Sequence, residues 1–452
     1  MKTKLVNFYE KLRSSYWFIP SVMAILAGIL ASFLVYLDLL NEDNRLIELS
    51  WIVLTGSAGA RAILSTVAGS MITVTGIVFS ITIVTLSLTS QQFGPRLLQN
   101  FMRDRGNQVV LGMVTSTYIY CLLVLRTVSE NPSSPFVPHL SILVAVLLAI
   151  LCVGVLIYFI HHVAESIQVT NIIAGVSRDL TSGIDRLFPE KISEALGPRE
   201  AEHALGELLP EDFEARLQAV PARSSGFLQA VDLPGLLELA EKKDLVIRIN
   251  HRIGHFIVAG APLVEIYPGE ATGDEDLPRT VNGHFITGHK RSPEQDIGFL
   301  VNELVEVASR ALSPGINDPF TAISCINHLG IALCDLAQRV FPSLLKKDKE
   351  NKVRVIVYPT TFEQIVDAAF NQIRQYGRPH AAVTIRLLEN IRVILPFTRY
   401  PEQRDALLRQ AALIERGSHE GLPEEADRHD VHERYLAIYQ TVEESFGLTG
   451  GH

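Results

Sequence analysis

Four hydroxyl side chains, Thr66, Thr73, Ser80 and Ser87, recur every seven residues within residues 62–90, a stretch without a single charged side chain. Ser70 fills one of the i+3/i+4 places between them, so all five fall on one stripe of a helix. Ser and Thr wet a narrow conduit at lower cost than charged groups. They also allow close helix approach, as Gly69 and Gly76 do. The stripe therefore either lines a water-filled passage or packs against another helix. A second row, Thr75, Thr82 and Thr89, lies about 160 to 200° away by helical geometry. Two polar faces call for protein or water around this helix. One chain supplies one such helix, so a pore requires several copies around an axis, with Arg61 and Arg96 as basic rings at its mouths.

The sequence RALSPGINDPFTAISCINHL holds the sharpest local motif. Asp318 before Pro319 reads as an N-cap followed by proline at the first helical position, with Pro314-Gly315 as the tight connection from the preceding helix. A helix opening from such a loop can also hold an anion. Asn317 and Asp318, with Arg310 from the preceding helix, are thus candidates for a small cytoplasmic ligand, and capping is the structural alternative. Asp296, Glu303 and Arg310, seven apart, share one helix face, where surface ion pairs contribute about 0 to 1 kcal/mol each. Cys325 and His328 lie one turn apart, as a nucleophile and base would, but no third orienting group accompanies them and a metal needs more ligands. His161 and His162 stand where an apolar segment ends, suited to interfacial anchoring or to pH sensing. No phosphate-binding glycine loop, zincin helix or nucleophile elbow occurs. The expectation is a protein that is not an enzyme, with no catalytic residues, no metal ligands and no cofactor.

These residues must be positioned by membrane elements. The chain has 452 residues, is 48% hydrophobic and has a mean hydropathy of +0.22, values high for a wholly soluble protein. Besides the hydroxyl-bearing segment, residues 14–37, 106–125 and 139–160 are nearly free of charge, and each can cross a hydrocarbon core that takes about 20 helical residues. Four spans are expected. Lys2, Lys4, Lys11 and Arg13 precede the first, and Arg96, Arg103 and Arg105 lie between the second and third, which predicts both termini in the cytoplasm of a bacterial inner membrane. The net charge of −9 argues against nucleic-acid binding, which needs a basic face. Two of the four cysteines, Cys121 and Cys152, fall inside spans, and Cys325 and Cys334 in the cytoplasmic portion, so no extracellular disulfide framework is implied.

The expected fold class is α+β: a transmembrane domain over 1–162, a helical extension and acidic connector over 163–223, a small β-rich unit over 224–292, and a mainly helical cytoplasmic domain over 293–452. In the third, the GHFIVAGAPLVEI pattern resembles the small sandwich of biotinyl and lipoyl domains. No lysine occupies the carrier position, so only the scaffold is suggested. The chain as a whole resembles the bacterial predicted-membrane-protein family designated domain of unknown function 2254. The resemblance rests on GSMITVTGIVFSITIVTLSLTSQQFGPR, IHHVAESIQ, SSGFLQAVD and RALSPGINDPFTA. It implies an integral membrane protein with a large cytoplasmic part and carries over no catalytic residues. The resulting expectation is a homo-oligomeric channel in contact with membrane lipid, passing an ion or responding to a small cytoplasmic ligand. The alternative is a membrane-anchored sensor or scaffold without a pore.

Overall fold

The computed structural model describes residues 17–40, 56–93, 104–129, 136–166, 168–190 and 209–446. The chain divides into two compact units, 1–171 and 172–452.

The first unit contains four long helices, α1 (Phe18–Leu40), α2 (Ser57–Phe93), α3 (Arg105–Leu125) and α4 (His139–Ser166). α3 is the most enclosed, with half of its apolar window buried against 22% for each of the other three. Its neighbours meet it through small residues, such as Ala27 and Ala31 of α1, and through buried rows at helical spacing. Small side chains bring helices close where hydrocarbon surroundings give no hydrophobic reward for association. The buried row of α2 runs Ala60, Leu64, Ala68, Met71 and Val78, then changes chemistry to Thr82, Thr85 and Thr89. Val78 packs with Val110 of α3 and with Phe159 and Val163 of α4.

In the second unit, α5 (Val169–Leu187, whose first residues precede the unit boundary) leads to eight strands among the described residues: β1 (Gln218–Pro221), β2 (Gly226–Val231), β3 (Val246–Ile249), β4 (Phe256–Ile257), β5 (Pro262–Tyr267), β6 (Phe285–Gly288), β7 (Leu345–Lys347) and β8 (Val353–Ile356). The helices α6 (Leu233–Lys243) and α7 (Leu277–Asn282) lie between strands in sequence. A helical region follows: α8 (Ile297–Ala311), α9 (Pro319–Leu336), α10 (Phe362–Gly377), α11 (Ala381–Ile394), α12 (Pro401–Gly421) and α13 (Glu425–Phe446). Local chemistry fixes several helix starts. Asp232, Asp296 and Asp318 accept hydrogen bonds from first-turn backbone N–H groups, and Thr361 with Gln364 forms a capping box.

Two expectations of the fold class are corrected. The described residues contain five, not four, helices long and apolar enough to cross a membrane, the fifth being α9. Asn327 and His328 interrupt its apolar run and hold its mean hydropathy to 1.3, the lowest of the five, so it does not stand out in the sequence. Nor do the strands close into a sandwich. They form an open five-stranded sheet in the order β1-β5-β3-β8-β7 and an open three-stranded sheet β4-β2-β6. The parallel pairing of β3 with β8, Ile247 opposite Val355, draws its partner from about 100 residues downstream of β3, so the sheet is not confined to 224–292. Leu228, Leu236, Ile247, Val264 and Val355 share one core.

Candidate functional site

The face of α2 turned away from the first unit's core carries the heptad hydroxyls. Thr66, Ser70, Thr73, Ser80 and Ser87 are all exposed in the single chain, as are Ala62, Gly69 and Gly76 beside them. The second row faces inward: Thr82 and Thr89 are buried, Thr75 is half-buried, and Thr85, absent from the sequence reading, is buried with them. Thr85 was missed because it belongs to no heptad repeat, although it lies three residues beyond Thr82 on the same helical face.

The outward faces of the neighbouring helices differ in kind. α1 presents Val22, Ile25, Leu26, Ile29, Leu30 and Phe33, and α4 presents Leu147, Ile150, Leu151, Val153, Ile157 and Ile160. Such surfaces match hydrocarbon. On α2, the arc through Ala62, Thr66, Gly69, Ser70, Thr73 and Gly76 carries only small or hydroxyl side chains; exposed Ile72, Phe79 and Ile83 flank it, and larger Ile77, Val84 and Leu88 join it further along. Ser70 Oγ donates to Thr66 O at 2.7 Å and Thr73 Oγ1 to Gly69 O at 3.0 Å. These bonds satisfy the hydroxyl protons and leave oxygen lone pairs on the surface.

Carboxylates tie the helix ends. Asp38, in the last turn of α1, accepts from Leu140 N (3.0 Å), Ser141 N (3.0 Å) and Ser141 Oγ (2.7 Å) at the start of α4. Asp104 accepts from Gly106 N at the start of α3 (3.1 Å), and its other oxygen is 2.5 Å from Nε2 of His162 on α4. Both are negative charges at helix N-termini, where the backbone dipoles favour them. Neither is read as a helix cap from the sequence. The available signal was the start of α4, Pro138-His139-Leu140-Ser141, which lacks a preceding Asp, Asn, Ser or Thr to cap it.

Of the proposed pore-mouth pair, Arg61 is exposed on the first turns of α2, and Arg96 lies outside the described residues. In the SPGIND loop, Asn317 takes a left-handed φ of 50°, and Asp318 N donates to Ala311 O at 2.7 Å. Asp318 Oδ1 accepts from Thr321 N and Oδ2 from Thr321 Oγ1, so both oxygens serve the start of α9. Arg310 points back along its own helix, 3.7 Å from Glu306. The loop thus brings Asn317 and Asp318 to the end of α8, and Arg310, in the last turn of that helix, pairs with Glu306. Asp296 and Glu303 are buried, not on a solvent face. Burial raises the pKa of Asp296, and the Arg291 guanidinium, bonded to both its oxygens at 2.7 and 2.9 Å, opposes that rise. The backbone at Gly254, at φ +86°, runs so close that a Cβ there would sit 2.3 Å from Asp296 Oδ2. Cys325 is fully buried, and the His328 ring bonds Ser177 Oγ at 2.9 Å. Among the described residues no cluster of His, Cys, Asp and Glu has the form of a metal site.

A family profile described as "Predicted membrane protein (DUF2254)" matches residues 13–392. An uncharacterized protein of Mycobacterium bovis and one of Mycobacterium tuberculosis are each 33% identical to this chain over 373 residues, 82% of this chain and 70% of theirs. A second uncharacterized protein of M. tuberculosis, from another strain, is 32% identical over the same span. No solved structure matches the chain.

Proposed function

This chain belongs to the DUF2254 family of predicted membrane proteins, and we propose that it assembles through α2 into a homo-oligomeric pore of the bacterial inner membrane. Thr66, Ser70, Thr73, Ser80 and Ser87 line the passage, and the second unit gates it or senses a ligand. The observation that carries this reading is the contrast between outward faces. α1 and α4 offer large apolar side chains throughout, whereas the outward face of α2 carries a stripe of glycine, alanine and hydroxyls flanked by exposed Ile72 and Phe79. Acyl chains gain nothing from such a surface, while copies of the same helix gain close approach and a wettable wall. The Lys and Arg residues that flank the helices of the first unit support a cytoplasmic N-terminus.

A second reading, a membrane-anchored sensor or scaffold without a pore, draws on the backbone bonds of Ser70 and Thr73. Hydroxyls satisfied within their own helix suit a dry helix contact as well. Single-channel recording separates the two. Purified protein in planar bilayers conducts, and Thr73→Ile or Ser80→Ile lowers the unitary conductance several-fold by narrowing and drying the wall. Bilayers that stay silent with protein incorporated across the full voltage range favour the sensor.

A further inference from the structure

We propose that Arg374, Arg378 and Arg416 form a binding site for a phosphate-type oxoanion where the end of α10 meets α12. Arg374 stands in the last turn of α10, Arg378 directly follows that helix, and Arg416 lies near the end of α12. The neighbouring ions are unevenly matched. Arg409 is held between Glu363 (3.1 Å) and Asp367 (2.7 Å), and Arg378 reaches Glu420 at 3.1 Å. Among the described residues Arg374 contacts only the neutral Asn371, at 3.4 Å, and Arg416 makes no ion pair. The Nε atoms of Arg374 and Arg378 are both buried without an acceptor.

Arg374 therefore keeps a half-buried charge that no carboxylate neutralises. Its surroundings oppose that charge: burial first, then the guanidiniums of Arg378 and Arg416, lower its pKa, and Asp367 compensates only in part. Packing holds the arrangement in place. Gly417 of α12 leaves Arg378 Nε 3.5 Å from where a Cβ would lie, and a Cβ at Gly421 would come within 2.6 Å of Arg378 O. The turn then enters α11, whose N-cap, His380, makes no side-chain capping bond. Arg374 and Arg378 lie one turn apart, and Arg378 packs against α12 at Gly417, next to Arg416; guanidiniums so grouped are matched by a multiply charged oxoanion, which accepts N–H bonds from the planar forks and removes the repulsion among them. The phosphate group belongs either to a free metabolite or to an anionic lipid headgroup. The site stands independently of conduction and is tested by binding alone.

The test uses the full chain in neutral detergent, titrated with inorganic phosphate and pyrophosphate at constant ionic strength, and in a second arm the chain in nanodiscs of phosphatidylcholine with or without phosphatidylglycerol. Thermal unfolding and calorimetric binding are read for the wild type, Arg374→Gln and the surface variant Arg416→Gln, which leaves the packing of α10 untouched. The expected result is a rise in melting temperature on anion addition, with affinity at least about tenfold weaker in each variant, a loss of roughly 1.4 kcal/mol. Protection by phosphate in detergent identifies a soluble ligand, and protection only with phosphatidylglycerol identifies a lipid headgroup. Both support the site. Shifts equal in wild type and Arg416→Gln, or equal to those with chloride, overturn it.

Discussion

Arg291→Ala is expected to cost the second unit about 3 to 5 kcal/mol, because it leaves the buried Asp296 carboxylate without its counter-ion. Asp296 also accepts from Phe299 N at 3.0 Å as the N-cap of α8, so the vacated charge sits at the start of a core helix. The pH dependence follows from the direction of its shift. Burial holds the Asp296 pKa in the folded protein above its unfolded value, so the native state retains this proton more tightly. The contribution of Asp296 to stability is thus fully present below the unfolded pKa, about 4, and declines as pH rises through the folded pKa. Removing Arg291 raises the folded pKa further and widens the window. Thermal unfolding should therefore show a larger deficit for the variant at pH 8 than at pH 5. Adding Asp296→Asn to Arg291→Ala keeps a capping side chain and removes the charge, and should recover most of the loss. A deficit under about 1 kcal/mol, flat from pH 5 to 8, would show that the pair behaves as an ordinary surface ion pair.

Asp38→Ala is the second large effect and concerns the first unit. One carboxylate accepts three hydrogen bonds at the start of α4, and among the described residues no other side chain caps that helix. Losing it leaves the Leu140 and Ser141 N–H groups unpaired beside an apolar bundle, for an expected cost of about 2 to 4 kcal/mol. Mixed-micelle titration with SDS, followed by circular dichroism, measures this as an earlier unfolding midpoint. Asp38→Asn should lie between the variant and wild type, since an amide oxygen still accepts. A midpoint for Asp38→Ala equal to that of wild type would mean that packing alone sets the entry of α4.

What the sequence made legible was local. The charge-free run of α2 and its two hydroxyl rows follow from helical period, and the Asp318-Pro319 cap from the chemistry of a helix start. Which row faces the core is a tertiary matter, decided by Val110, Phe159 and Val163 packing against Val78, one turn before Thr82. The Asp38 and Asp104 ties join residues 102 and 58 positions apart, beyond the reach of any spacing argument. The same holds for β8, whose parallel partner β3 precedes it by about 100 residues, and this pairing makes the sheet open and shared, not a closed sandwich. α9 escaped the span count because its buried face, Cys325, Ile326, Leu329 and Leu333, is separated by polar residues that a linear hydropathy reading averages in. The arginines at the end of α10 also went unread, because Arg416 reaches them only through the packing of α12.

The central claim, that the outward face of α2 borders water in the assembled protein, is tested most directly by thiol accessibility in intact membranes. In a background with Cys121, Cys152, Cys325 and Cys334 replaced, single cysteines at Thr73 and Ser80 are exposed to a membrane-impermeant, water-soluble thiol reagent, with Ala68→Cys on the buried row and Ile25→Cys on the outward face of α1 as references. Rapid modification at positions 73 and 80, with 68 and 25 protected, is the predicted result. Protection at 73 and 80 equal to that at 25 would place those hydroxyls against lipid or dry protein and contradict the account.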